Sequence, residues 1–437
     1  MNPGQGARMQ PIRPLDRHLN LNVRGLSQSA TLAINERSAA LAAEGRTVYR
    51  LGLGQSPFPV PRTVVESLRA HANERDYLAV RGLRELRAAV ASYHQRAEGI
   101  EYDETDVMVG PGSKELMFVL QLVYYGDLVI PTPSWVSYAP QAQIIGRQIR
   151  WASTDAAHHW HLTPEDLDRI CRDDPDRPRI VILNYPANPT GDSYTSDELR
   201  ELADVARRYR VVMLSDEIYA QLHHNGQHVS IARFYPEGTI ISSGLSKWCG
   251  AGGWRLGTFT FPKSLVWLQD AMAVVASETY TSTSAPIQYA AIEAFRRGPE
   301  IDEYLVQCRR VLRSLGLHLW RQLTAAGVKC GRPVGAFYLF PDFTPVAPAL
   351  AARGISGSRE LCERLLEETG VAILPGADFG RPAEELTARL AYVNFDGARA
   401  IAAAEQVDRG ERLDEKFLGE HCPQTLEAIE KLCAWLG

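Results

Sequence analysis

The chain has 437 residues, 45% hydrophobic, 23% charged and 8% aromatic, enough for a large core and two domains. A net charge of −5 and a pI of about 6.2 imply no basic face for nucleic acid. No apolar run approaches the roughly 20 residues that span a bilayer, which excludes a membrane protein of the helical kind. Residues 1–20 have little core-forming character and are expected to form a flexible arm. The spacing predicts a helix over 28–44, a strand over 47–51 and a loop over 52–59. From 62 onward helices alternate with strands expected at 106–110, 127–131, 147–151, 179–185, 210–215, 239–243 and 256–261. Ile180-Val181-Ile182-Leu183 and Val211-Val212-Met213-Leu214 are apolar at every position. Such strands are buried on both faces, as in a mainly parallel sheet covered by helices.

Helix starts are marked. Thr163 precedes Pro164, Glu165 and Asp166, and Thr195 stands three residues before Glu198 as a capping box. Beyond about 300 the pattern changes. A long helix over 302–325 precedes Gly335-Ala336-Phe337-Tyr338-Leu339-Phe340, a helix over 358–369, and strands over 371–374 and 389–394. This predicts a smaller α+β domain. The expected division is 1–60 as an arm and part of the small domain, 61–298 as the large domain, and 299–437 as the small domain. Seven cysteines are scattered without a C-x-x-C pair, so a metal site or disulfide framework is not expected and a reducing compartment fits. The start at Met1-Asn2-Pro3-Gly4 lacks an apolar leader, which points to the cytoplasm. His158, His159 and His161, and likewise His223 and His224, lack the spacing and partners of a metal centre.

Lys247 follows an apolar strand in Ser242-Ser243-Gly244-Leu245-Ser246-Lys247, and its amine suits a carbonyl nucleophile. Arg255, in Gly253-Trp254-Arg255-Leu256-Gly257, carries the fork of donors that grips a phosphate. An aldehyde and a phosphate on one small molecule describe pyridoxal 5′-phosphate. Asp216 ends another buried strand, where ligands of open α/β sheets bind. A carboxylate there keeps a pyridine nitrogen protonated, and Tyr219 three residues on would reach the ring's phenolic oxygen. In isolation the pair reads as a helix cap and a packing residue. Asn188, in Pro186-Ala187-Asn188-Pro189-Thr190-Gly191, offers an amide donor to the same oxygen, though alone it is an Asn-Pro turn. Gly112-Ser113-Lys114 opens a helix whose N–H groups suit a phosphate. Trp135 is placed to stack on a pyridine face, and Arg389 to clamp a carboxylate.

In this order these residues resemble the fold-type I, class I/II aminotransferase (aspartate aminotransferase-like) family from about Leu51 to Asp396. The resemblance implies an α/β large domain with a mainly parallel sheet, a small α+β domain, and a homodimer with shared active sites. It implies ping-pong transfer of an amino group from an L-amino acid to a 2-oxo acid through pyridoxal 5′-phosphate. It makes Lys247, Asp216 and Tyr219 catalytic. Gly112, Ser113, Lys114, Trp135, Asn188, Arg255 and Tyr77 join them in holding the cofactor, Tyr77 acting on the partner subunit's phosphate. Gly54, Asn188 and Arg389 bind the substrate carboxylate. There are departures: Gly244 stands where many relatives have a phosphate-binding serine, Ala251-Gly252 where Met-Thr is common, and Ala79 where proline is common. Trp248 and Cys249 also differ, and these departures together surround Lys247, which leads one to expect an effect on substrate scope or reaction type more than on cofactor binding. A β/γ-lyase, an elimination like that of 1-aminocyclopropane-1-carboxylate synthase, an amino-acid oxidase and a non-catalytic cofactor-binding regulator stay open as alternatives. No residue is named for a distal substrate carboxylate.

Overall fold

The structure is a computed structural model and describes residues 18–26 and 30–437. The arm expected over 1–20 lies outside the described residues as far as 17. The strands are β1 (Tyr49–Arg50), β2 (Val107–Gly110), β3 (Asp127–Thr132), β4 (Ile149–Ser153), β5 (Arg179–Asn184) and β6 (Val212–Asp216). They continue with β7 (Thr239–Gly244), β8 (Gly257–Thr260), β9 (Tyr338–Leu339), β10 (Val371–Ala372), β11 (Leu374–Pro375) and β12 (Ala388–Ala391). Among the described residues the main sheet has the order β2-β8-β7-β6-β5-β3-β4. Its pairs from β7 through β4 are parallel, and β8 runs antiparallel to both β7 and β2.

The side chains of β5 show why its sequence is apolar throughout. Ile180 and Ile182 pack on one face with Leu116, Met117, Leu128 and Met272. Val181 and Leu183 pack on the other with Leu167, Leu199 and Leu202. Helices Ser113–Val123 and Val266–Ser277 cover the first face, and Pro164–Arg172 and Ser196–Arg208 the second. Each fully buried Val, Leu or Ile contributes roughly 1.5–3 kcal/mol, so this double covering is the main stabiliser of the layer. The capping box of Thr195 and Glu198 forms, and Thr163 accepts from Asp166 N at 3.1 Å.

Parallel strands deliver their carboxyl ends to one edge. Asn184, Asp216 and Ser242 stand side by side there in register. Because β8 is reversed, it begins at that edge, and Gly110, Gly257 and Gly244 form a row beside them.

The early strand β1 pairs in parallel with β10, and β11-β12-β9 form an antiparallel sheet. The strand expected over 371–374 therefore divides at Ile373, because β10 and β11 belong to different sheets. The one expected over 389–394 ends at Ala391, where pairing with β9 ends. The long helix runs Pro299–Ala325 rather than from 302, since proline fits a first turn that has no N–H bond to lose. Its Leu305, Leu312, Leu315 and Leu319 pack with Phe337, Leu339 and Leu390 of the smaller sheet. Among the described residues no helix is long and apolar enough to cross a membrane.

Candidate active site

Asp216 is buried where β6 meets the carboxyl edge. Its Oδ2 accepts from Tyr138 Oη at 2.5 Å and its Oδ1 from Ser242 Oγ at 3.4 Å. Asn184 Nδ2 donates to its carbonyl at 2.8 Å, tying the ends of β5 and β6 together. Burial pushes the carboxyl up to about 6, against the pull of the Tyr138 hydrogen bond. A carboxylate in this state has a strong appetite for a proton or for a protonated nitrogen.

Lys247 lies in the turn after β7, and its Nζ donates to Gly54 O at 2.6 Å. The amine stands 5.7 Å from the centre of the Tyr219 ring. Burial, then the nearby Arg389 charge, lowers its pKa to about 8, with Asp216 pulling the other way. Near neutral pH a useful fraction is therefore free amine, the form that attacks a carbonyl.

Arg389 enters on β12 and is buried. Its Nη1 donates to Asn188 Oδ1 at 3.1 Å and its Nη2 to Gly52 O. Its guanidinium sits between the rings of Tyr338 and Phe379, 5.0 Å from each centre. Buried Nε has no partner among the described residues. A buried cation without a carboxylate is costly unless an anion completes it, as a substrate carboxylate would. With Oδ1 of Asn188 facing Arg389, its Nδ2 remains to donate elsewhere. Gly54 lies in the same pocket, through its carbonyl on Lys247.

At the other end of the sheet edge, helix Ser113–Val123 begins at Gly112 with no side chain capping its first N–H groups. Arg255 has φ 56°, a left-handed conformation, and its guanidinium donates to Pro111 O at 3.4 Å in this turn and to Gly252 O at 3.0 Å in its own loop. A Cβ on Gly112 would stand 2.4 Å from Arg255 Nη2. Glycine thus keeps open a cradle between a helix N-terminus and a guanidinium, the setting of a phosphate site. Lys114 Nζ sits 5.4 Å from the Trp135 ring centre, and Trp135 meets Tyr138 edge-on at 5.3 Å. A phosphate cradle, a buried amine and a buried carboxylate on one sheet edge fit pyridoxal 5′-phosphate.

One expected residue is not brought into this group. Tyr77 is 89% exposed, on a loop before helix Arg84–Glu98. Two residues of the site escaped the sequence reading, Tyr138 and Tyr338. Tyr138 buttresses Asp216, and Tyr338 Oη lies 2.6 Å from Tyr219 Oη. The signal available was their position, Tyr138 one helical turn after Trp135 and Tyr338 in an apolar run after Gly335.

The departures also find their place. A Cβ on Gly244 would stand 2.8 Å from Leu256 O and 3.1 Å from Gly257 Cα, so the β7–β8 pairing leaves no room for serine. Trp248 and Cys249, expected with the other departures to surround the reactive centre, turn into the core. Trp248 meets Phe295 edge-on at 6.4 Å, and both residues are buried. Alternate residues of a tight turn point to opposite sides, so neighbours of Lys247 in sequence are not its neighbours in the pocket. The histidines near 160 serve packing and hydrogen bonding, His161 stacked on Tyr194 at 4.0 Å. Among the described residues no group of three or more His, Cys, Asp or Glu could hold a metal.

Comparison with known proteins agrees with this geometry. Residues 46–394 match the family model of aminotransferase class I and II. An aspartate aminotransferase of Geobacillus stearothermophilus is 35% identical over 370 residues, 82% of this chain and 91% of the relative. An asparagine–oxo-acid transaminase of Streptococcus mutans is 32% identical over 381 residues, 83% and 92% of the two chains. The solved aspartate aminotransferase of Thermus thermophilus with maleate superposes with a TM-score of 0.81 at 28% identity, over 96% of this chain and all of that one. The chain belongs to the class I and II aminotransferases, fold-type I enzymes that use pyridoxal 5′-phosphate to move an amino group from an amino acid to a 2-oxo acid.

Proposed function

We propose that the amino donor is a short acidic or amide amino acid, aspartate first, with a 2-oxo acid as acceptor. The names of two relatives support this choice, aspartate aminotransferase and asparagine–oxo-acid transaminase. The observation that carries the site is the convergence on Lys247: its amine, bonded to Gly54 O, is lowered toward neutrality by burial and Arg389, with Asp216 pulling the other way. Bound here, pyridoxal 5′-phosphate supplies an aldehyde for amines and a ring that withdraws electrons from the substrate's Cα.

The residues then divide the work. Arg389 holds the substrate's α-carboxylate, with Asn188 and the backbone near Gly54 fixing its orientation. Lys247 Nζ would serve as the base for the proton on the substrate's Cα and as the acid that delivers it to the bound cofactor. Asp216, steadied by Tyr138, holds the proton on the ring nitrogen. Tyr219 and Asn188 would donate to the ring's phenolic oxygen when the cofactor is bound. Trp135 backs the ring, and Arg255 with the Gly112-Ser113-Lys114 turn holds the phosphate. We further read the enzyme as a cytoplasmic homodimer in which Tyr77 serves the partner's site. Residues 61–298 carry the cofactor, and 1–60 with 299–437 bring the carboxylate clamp.

The test is spectroscopic. Aspartate added to the holoenzyme should convert the cofactor's visible band to that of the amine form, and a 2-oxo acid should restore it. A band that responds to other amino acids and not to aspartate overturns the donor. Release of ammonia or peroxide without a stable amine form overturns transfer by this site.

A further inference from the structure

Tyr338 is buried behind Tyr219, and the mechanism above gives it no role. It sits on β9, in register with Ala391 of β12, which places it two residues from Arg389 on the paired strand. Its Oη is 2.6 Å from Tyr219 Oη, and the two rings meet edge-on at 5.5 Å. Its ring lies under the Arg389 guanidinium at 5.0 Å. Its hydroxyl also fills the space that a side chain at Gly54 would take, since a Cβ there would stand 2.1 Å from Tyr338 Oη. One hydroxyl thus touches the lysine's anchoring loop, the ring-facing tyrosine and, through its ring, the carboxylate clamp.

We infer that Tyr338 is a positioning residue, the rear hydroxyl of a two-tyrosine donor chain that runs through Tyr219 to the cofactor's phenolic oxygen. The inference rests on the cofactor reading above. The argument is a count of protons. A tyrosine hydroxyl has one hydrogen to donate and lone pairs to accept with. When Tyr219 donates its hydrogen to the phenolic oxygen, the 2.6 Å contact behind it is a hydrogen bond only if Tyr338 is the donor. Donating into an oxygen strengthens that oxygen's own O–H as a donor, so the chain holds the phenolic oxygen anionic better than Tyr219 alone. The groups facing the pair are Arg389, Lys247 and Asp216, with Tyr392 beyond Tyr338. Arg389 pulls both phenols down against the upward push of burial, so the direction of the bond between them is set by where Tyr219 sends its own hydrogen.

The experiment is a pH titration of the bound cofactor's absorption band in the holoenzyme. Wild type, Tyr338→Phe, Tyr219→Phe and the double variant are compared without substrate. Tyr338→Phe should keep the cofactor and move the midpoint upward by about half a pH unit, a threefold change in proton affinity. Tyr219→Phe should move it further, and the double variant should match Tyr219→Phe alone. An unmoved midpoint in Tyr338→Phe overturns the chain. So does a double variant whose shift is the sum of the two, since Tyr338 would then act independently of Tyr219. A wild type with no pH-dependent cofactor band would instead sink the cofactor reading, which keeps the two failures distinct.

Discussion

Asp216 shows how a single side chain is tuned against the stability of its own fold. Its carboxyl is pushed to about 6 by burial, from an ordinary value near 3.8. In the cofactor-free protein the native state therefore holds this proton more tightly than the unfolded chain does. Below about pH 4 both states are protonated, and the native state has its full relative stability. As pH rises from 4 to 6 the unfolded chain loses the proton first, so stability falls across that window and stays lower above it. A shift of two units corresponds to about 3 kcal/mol, of which relaxation around the charge leaves about 1–2 kcal/mol. Asp216→Asn keeps an acceptor for Tyr138 Oη and removes the buried charge. Cofactor-free Asp216→Asn should therefore be more stable than wild type at pH 8 by about 1–2 kcal/mol, with the gap closing near pH 4. Urea denaturation of both proteins at the two pH values checks this. The same variant should lose most of its transamination, because the ring nitrogen loses its anionic partner.

At the scale of elements, the row Gly110, Gly257, Gly244 ties sheet geometry to the phosphate cradle. A serine at Gly244, the residue the resemblance leads one to expect, would seem a gain of one donor. The backbone argues the opposite, because a Cβ on Gly244 meets Leu256 O at 2.8 Å. Gly244→Ser should lower stability by about 1–3 kcal/mol and bring no tighter cofactor binding. Thermal melting and cofactor titration measure both; a tighter, equally stable variant would show that the strand pair yields. The limits of the sequence reading follow from the same geometry. Strands β5 and β6 were legible because strands covered on both faces are apolar through their centres, as residues 180–183 and 211–214 are. Asp216, Asn188 and Lys247 drew notice because each lies at or shortly after the end of a buried strand, and the ends of strands define the ligand edge. Tyr138 and Tyr338 were not, because their partners are 78 and 119 residues away along the chain. Only the register of separate elements brings those hydroxyls to Asp216 and Tyr219. Trp248 and Cys249 misled for the converse reason, adjacency along the chain without adjacency in the pocket.

The molecule as a whole presents a face that one chain does not cover. On helix Val266–Ser277, Trp267 is 55% and Val274 66% exposed, and two turns of helix put them on one side. Asp270, between them, pairs with Arg81, which belongs to the loop that carries the 89% exposed Tyr77. Exposed apolar side chains grouped around such a loop are what the proposed dimer would bury. A two-fold dimer formed there would carry each Tyr77 toward the other subunit. The expected mass in solution is then twice 48.5 kDa. Complementation tests the sharing itself. Lys247→Ala removes the reactive amine from a subunit's own site, while Tyr77→Ala removes a phosphate contact from its partner's site. When the two inactive or weak variants are mixed and allowed to exchange subunits, half the dimers are hybrids. If Tyr77 crosses the interface, each hybrid has one site with both defects and one site with none. Activity should then recover toward about a quarter of wild type. If each subunit uses its own Tyr77, both sites of every hybrid stay defective, and the mixture gives only the average of its parents.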